Sequence, residues 1–445
     1  MTTVVAKHHW GSKRFLGIPE FRRLLATRLV SQWGDGLFQA GLAGAVLFNP
    51  ERQADPLAIA AGFAVLLGPY SLIGPFAGAF LDRWDRRRVV LIASLTRGAF
   101  ILLTAAAVGL GLSGLPLYVS ALVVTGFSRF LGAGLSAALP HVVDEDHLVE
   151  ANALAATLGA LIAVFGGGCA IGLRQLLGAG DGGSALTTSV AVVGSLLCAW
   201  VASKFKPGVL GPDEVNEPNR AVTAVAHGLW DGAKAAWHTP TVRAALAALL
   251  AHRAAFGISL LITLLLMRYS FHDMGLLKAG IAGLGEVAIA GGAGILLAGL
   301  TTDRIVDRLG TRQTIIGALL IAAACQVALG LPMLLPTILV ASFVITYSGQ
   351  VVKLNVDAAV QHDVGDEVRG RVFALYDTLF NITQVAAVTA AAAVAPLDGR
   401  SHGLVLTATG FYLIGLAAYV VLLARQRQPQ HPGLMGEDDR GHPVG

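Results

Sequence analysis

Asp35, Arg97, Arg129, Arg253, Glu286 and Lys353 each stand inside a run of about twenty apolar residues, and Asp377 stands nearer the end of another. A charge in hydrocarbon costs several kcal/mol unless it pairs or faces a water-filled cavity, so each of these positions asks for a partner or a pathway. A buried carboxylate beside a cation that comes and goes can take up and release a proton, which is the chemistry needed to couple a proton to a movement. Asp35 is the first candidate for that role, Glu286 the second, and Asp377 joins them. Permanent ion pairs that brace the bundle are the plainer alternative for all three.

Arg97, Arg129, Arg253 and Lys353 are candidates for the wall of a substrate cavity, where a cation would hold an anionic group. Asp35 and Arg129 both fall about ten or eleven residues, roughly 16 Å, from one boundary of their runs, so they are expected to face one another. Lys353 and Asp377 are level by the same count, with Asp357 one helical turn beyond Lys353 as a competitor. Asp377, Asn381 and Gln384 share a helix face at i, i+4 and i+7, suited to a cavity wall or to hydrogen bonds between helices.

The elements that carry these residues follow from composition. In 445 residues, 55% are hydrophobic and 13% charged, and the mean hydropathy is +0.67. Such a chain has too little polar surface to coat a soluble globule. Apolar stretches of membrane-spanning length number about twelve. The first six run over roughly 24–48, 57–81, 89–112, 115–139, 151–177 and 185–203, and the second six over 243–267, 275–301, 313–334, 336–359, 370–396 and 402–424. The 54 glycines suit helices whose backbones approach closely in lipid. Cys169, Cys198 and Cys325 lie inside apolar stretches with no paired spacing, and read as packing residues. The N-terminal MTTVVAKHHWGSKRF has no apolar core or cleavage site, so no removable signal is expected.

With the N-terminus inside, the outer segments hold only Arg52, Arg174, Arg268, Lys278 and Arg400, and the remaining loop cations fall on the inner side. Both termini are therefore expected in the cytoplasm. The chain also repeats near half its length: DRWDRR at 82–87 returns as DRLGTR at 307–312, and AALPHVVDEDHLVEANAL at 137–154 keeps six of eighteen positions in AAVQHDVGDEVRGRVFAL at 358–375. This divides it into an N-terminal half at 1–203, a linker at 204–242, a C-terminal half at 243–425 and a polar, disordered tail at 426–445. Two halves that both start inside are parallel repeats. In the linker Val222, Val225, Leu229, Ala233 and Trp237 recur at helical spacing beside Trp230, which predicts a short interfacial helix.

Gly78, Asp82, Arg83, Arg86 and Arg87 carry a resemblance. Spaced as glycine, three residues, then D-R-x-x-R-R, they look like the loop signature between helices 2 and 3 of the major facilitator superfamily of secondary transporters. Asp85 stands where that family has glycine, whereas the weaker copy at Asp307, Arg308, Gly310 and Arg312 keeps it. SQWGDGLF, LPHVVDEDHLVEANAL and VRGRVFALYDTLFN resemble the branch holding enterobactin exporters and macrolide efflux pumps. The resemblance implies a gate in which the loop acid, here Asp82, pairs with the opposite half. The run GALIAVFGGGCAIG at 159–172 resembles the helix 5 glycine signature of antiporting exporters but lacks its proline, and close helix packing explains those glycines equally well.

No G-x-x-x-x-G-K-[ST] is present to cradle nucleotide phosphates, and no H-E-x-x-H or paired C-x-x-C to hold a metal, so neither cofactor nor metal is expected. A membrane-embedded enzyme using His141, Asp144 or His362 is disfavoured because those loops recur in both halves. The expectation is an all-α membrane protein of twelve transmembrane helices in two parallel six-helix repeats, working as a proton-coupled exporter of small amphipathic molecules. An importer or lysolipid carrier on the same scaffold is the alternative. The expected setting is the plasma membrane, with a small-molecule substrate, protons and the bilayer as partners, no nucleic acid, and a single copy of the chain.

Overall fold

The computed structural model describes residues 15–47, 56–72, 84–144, 147–211 and 221–424. Their regular structure is helical, apart from one isolated bridge between Met274 and Leu277. The helices are α1 (Pro19–Leu47), α2 (Pro56–Leu72), α3 (Arg86–Gly109), α4 (Leu115–Ala137), α5 (Leu148–Leu177), α6 (Asp181–Val190), α7 (Val192–Ser203), α8 (Ala221–His238), α9 (Pro240–Leu265), α10 (Gly280–Leu309), α11 (Thr311–Cys325), α12 (Leu335–Asp363), α13 (Asp366–Ala392) and α14 (His402–Ala424). A π-turn continues α9 through Leu266–Ser270 and another continues α11 through Gln326–Gly330.

Local signals set the helix ends. Proline opens α1, α2 and α9 and sits in the first turn of α4 and α12, where its missing N–H costs nothing. Asp85 caps α3, its carboxylate accepting from the Arg87 backbone N–H at 3.0 Å. Gly310, at φ +79°, ends α10 in the left-handed region and starts α11 at once, so the glycine of the second loop copy has a backbone reason.

Ten of the helical units are long and apolar enough to cross a membrane. Neither α1, with Arg28 and Asp35 within its length, nor α2, described over 17 residues, is among them. The described helix boundaries lie within about five residues of the expected spans, except that the span expected at 275–301 is α10, which continues to Leu309 and begins only at Gly280. There the segment 271–279 forms a hairpin in which Asp273 accepts from Ala279 N–H and from Lys278 Nζ. The part of the second expected span beyond residue 72 lies outside the described residues, as do Gly78, Asp82, Arg83 and the tail.

Packing follows small residues. A Cβ built on Gly36 would overlap the Ala163 carbonyl and one on Gly166 the Trp33 carbonyl, so α1 and α5 lie backbone to backbone. The glycine run of α5 is thus used for close packing against α1. Helices α1 and α3–α7 pack chiefly on one another, α9–α14 likewise, and α2 touches both groups, lying against α4 and against α13 and α9. Ile59 and Ala60, at the start of α2, are buried in the core of the later helices together with Leu264, Leu265, Ala391 and Ala392. Over its described residues α2 therefore joins the two groups. The core of the earlier group comes as two slabs: one holds Phe21, Leu24, Val90, Leu131 and Cys198, the other Leu37, Ile101, Leu117, Val124 and Ala191. Large apolar side chains such as Ile92, Leu103, Phe165, Ile289 and Leu296 stand fully outward, a surface that hydrocarbon satisfies and water does not.

Helix α8 forms within the expected interfacial segment. Gly232 and Ala236 are buried, against the Arg371 and Val372 backbone of α13 in the case of Gly232, and Asp231 pairs with Arg371 at 3.1 Å. Trp237 of the apolar stripe is 65% exposed and Trp230 62%. Leu229 and Ala233 are half-buried, and the Val222 and Val225 side chains lie outside the described residues. Small residues win the contact because only they let α8 approach another helix, while the indoles face outward with Trp84 and Trp200 at the same end of the molecule.

Candidate functional site: two ionic centres within the bundle

The first centre lies between the two apolar slabs. Asp35 of α1 accepts from Arg97 Nη1 of α3 at 2.9 Å and from Ser128 Oγ of α4 at 2.6 Å. Arg97 also donates to Ser31 at 2.8 Å and through Nε to Ser195 of α7 at 2.9 Å. The guanidinium thus joins α3 to α1 and α7, and Asp35 carries the network on to α4. Arg97 is 1% exposed whereas Asp35 keeps 18%, so the cation is sealed and the acid retains an open side. Arg129, expected to face Asp35, follows Ser128 on α4 and lies within electrostatic reach of Asp35, but the direct contact belongs to Arg97. The helix carrying Arg97 begins at Arg86 rather than at 89, which moves that residue deeper and level with the acid.

The second centre is on α12 and α13. Lys353 Nζ pairs with Asp357 at 2.8 Å within one helical turn, and the Tyr376 hydroxyl donates to the other Asp357 oxygen at 2.5 Å. Asp357 therefore wins the competition for Lys353 that Asp377 was expected to enter. Asp377 remains near enough to feel both charges. The Lys353 ammonium lies 5.5 Å from the Tyr376 ring centroid, and all three charged groups keep partial exposure. Arg253 of α9 lies over the Phe380 ring of α13 at 3.5 Å and 5.2 Å from that of Phe256, a stacked rather than an ion-paired cation.

Other expected site residues take different roles. Glu286 accepts from the backbone N–H of Lys278 at 3.0 Å, fastening the 271–279 hairpin to α10. Asn381 donates to the Asp377 carbonyl of its own helix at 2.8 Å, and both Asn381 and Gln384 are largely buried. On the face they share with Asp377, the acid stands exposed and the two amides are covered.

In the first loop, Arg86 is buried and donates to the carbonyls of Ala137 at 3.0 Å and Leu210 at 3.3 Å, while its backbone N–H reaches Gly211 at 3.1 Å. Arg87 donates to the Ser203 carbonyl at the end of α7 at 3.0 Å, where the helix dipole favours a cation. These two arginines tie their loop to the ends of α4 and α7, elements of their own group. Asp307, Arg308, Gly310 and Arg312 of the second copy stand exposed.

Sequence reasoning missed Ser31, Ser128, Ser195 and Tyr376. Two of them carried a signal: Ser31 lies one helical turn before Asp35, and Tyr376 adjoins Asp377. Among the described residues no cluster of three or more metal-ligating side chains occurs.

Comparison with known proteins gives the arrangement a family. Proteins of Mycobacterium bovis and Mycobacterium tuberculosis, each described as an uncharacterized MFS-type transporter, are 44% identical over 426 residues, covering 94% of this chain and 94% of theirs. An auto-inhibited peptide transporter shares the fold at a TM-score of 0.65 and 10% identity, over 95% of this chain and 99% of that one. A nucleoside transporter does so at 0.63 and 14%, over 91% and 98%. The family model described as Major Facilitator Superfamily matches residues 29–388. With its membrane-spanning helices and paired intramembrane charges, the chain is a multi-pass membrane transport protein of the Major Facilitator Superfamily, not an enzyme.

Proposed function

We propose that this protein is a proton-coupled exporter of small amphipathic molecules, built of two six-helix halves at 1–203 and 243–425 joined by the 204–242 segment, with α1 and α2 completing twelve spans. The observation that carries the reading is the asymmetry of the first centre. A carboxylate that keeps an open side while its cation is sealed can exchange a proton without dismantling the guanidinium's two serine contacts.

Between the groups, α2 carries Ile59 and Ala60 into the later core, and the halves rock about this contact. Both termini are cytoplasmic, as the distribution of Lys and Arg favours. Rocking then exposes Asp35 to either face in turn. Arg129, Arg253 and Lys353 offer cations to cargo, and Asp377 a second proton site. A membrane potential supplies about 2.3 kcal/mol per charge per 100 mV, enough for roughly fifty-fold accumulation per charge moved.

Cells overexpressing the chain, challenged with dyes, antibiotics and siderophores, identify cargo. Inverted vesicles loaded with a pH-sensitive fluorophore then test coupling. Cargo addition under an imposed gradient should release protons from the lumen, and flux that ignores the gradient would replace this reading with a uniporter.

A further inference from the structure

A cavity of about 410 Å³ lies between α9, α10 and α12, with the π-turn after α11 and Val405 of α14 at its back. Its size is that of a small-molecule pocket. It contains none of the charged residues discussed above, nor any other ionisable side chain. Its walls are mostly aliphatic, and a charged ligand there would lose its hydration with no counter-charge in return.

The polar groups of this pocket are mostly committed. Thr263 donates to the Ser259 carbonyl at 2.8 Å and Ser342 to that of Ile338 at 2.7 Å, each within its own helix. The single Ser259 hydroxyl proton is shared between the Ala255 carbonyl and Gln326 Oε1, each at 3.0 Å. The Gln326 amide nitrogen is different. Gln326 is only 3% exposed, it lines the cavity, and among the described residues its Nε2 meets no acceptor. A buried amide with two unspent N–H donors asks for an acceptor from outside the protein.

The backbone makes room at that point. Gln326 opens the π-turn Gln326–Gly330, a widened turn of a type that recurs at functional sites. A Cβ on Gly330 would stand 3.3 Å from Nε2, so glycine leaves the amide uncovered. On the facing wall a Cβ on Gly292 would meet nothing within 4 Å. Ala288 and Ile295, both exposed, form the rim on α10.

We propose that this cavity binds an uncharged, apolar chain or ring system bearing one hydrogen-bond acceptor, such as an ester or ketone oxygen, which Gln326 Nε2 engages. The site is separate from both ionic centres and its occupancy requires no turnover, so it stands whether or not transport is proton-coupled. A free amphiphile and the ester region of a bilayer lipid present the same chemistry.

Photolabelling of the full chain in nanodiscs tests this, using a diazirine-bearing fatty acid methyl ester and, separately, a phosphatidylcholine with the diazirine in one tail. Adducts are expected on residues 259–264 and 341–346. Gln326→Leu, which keeps the shape and removes the donor, should lower them about five-fold, as one hydrogen bond of about 1 kcal/mol predicts. Gly292→Trp should abolish them by filling the space, while adducts at the outward-facing Ile289 and Leu296 stay unchanged in both variants. Labelling by both probes makes the occupant a bilayer lipid, and labelling by the ester alone makes it a free amphiphile. Adducts confined to Ile289 and Leu296, or pocket adducts undiminished by Gln326→Leu, would overturn the proposal. The leucine variant decides alone if the tryptophan variant fails to fold.

Discussion

Arg97 reaches Asp35 across 2.9 Å, yet one of the two is sealed in the bundle and the other is not. The guanidinium is held by Ser31 and Ser195 as well as by the acid, so its position is set by three helices even while the acid changes state. In the proposed function the accessible carboxylate takes up the proton and the fixed cation supplies a rigid frame, and the two parts are tested separately.

Asp35→Asn preserves the size of the side chain and an oxygen for Ser128 and Arg97, so the protein should fold and bind cargo. Accumulation driven by a pH gradient should fall to the gradient-independent level, read as dye uptake into inverted vesicles with and without the gradient. Normal accumulation by this variant would leave the acid a structural role only.

Arg97→Met should behave differently. Removing the cation strands Asp35 and the two serine hydroxyls, and losing one member of a buried pair costs about 3–5 kcal/mol. The expected result is a large drop in thermal unfolding temperature and yield, with Arg97→Lys intermediate because an ammonium cannot reach three helices in a fixed fork.

Tyr376→Phe removes the hydroxyl that donates to Asp357 while leaving the Lys353 pair in place. A hydrogen bond to a charged group is worth about 1.5–3 kcal/mol, so thermal stability should fall by an amount in that range. Phe at 376 that unfolds with wild-type stability would mean that Lys353 alone satisfies the carboxylate.

Gly36→Ala and Gly168→Ala give a packing contrast on the two helices that meet most closely. The first puts a methyl into the Ala163 carbonyl, and the second puts one into open space. The first should abolish folded protein by size-exclusion chromatography and the second should be neutral, within about 0.5 kcal/mol.

The exposed hairpin at 271–279 should respond to pH. The Ala279 N–H, and after it the Lys278 ammonium, hold the Asp273 carboxyl below the usual carboxylate range. A depressed value means that the contribution is complete above the ordinary carboxylate pKa of about 4 and is lost as pH falls through the lowered value. The protection factor of the Ala279 amide, its exchange relative to the intrinsic rate at each pH, should be constant near neutrality and fall only in acid, and Asp273→Asn should remove that dependence.

Much of the architecture was legible because hydropathy is local. Runs that transfer favourably into hydrocarbon gave the spans, and the last of them was placed at 402–424, where α14 lies. The expected start of α10 lies five residues early because Leu276 and Leu277 are apolar enough to pass for membrane helix, while Asp273 turns the chain. Helical spacing predicts a helix in the linker, but which of its faces packs on α13, that of Gly232 and Ala236, is set by contact geometry.

The sequence by itself determined that the chain spans a membrane, where the charges lie in depth, and that the second loop copy turns at Gly310. Only the tertiary structure decided which charges meet: Arg97 with Asp35, Asp357 with Lys353, and Glu286 with a backbone N–H. Depth follows from counting residues at 1.5 Å of rise, but rotation about each helix axis does not. Rotation is set by contacts such as Gly36 on Ala163 and Gly34 on Gly194, where missing side chains let backbones touch and so aim everything else around them.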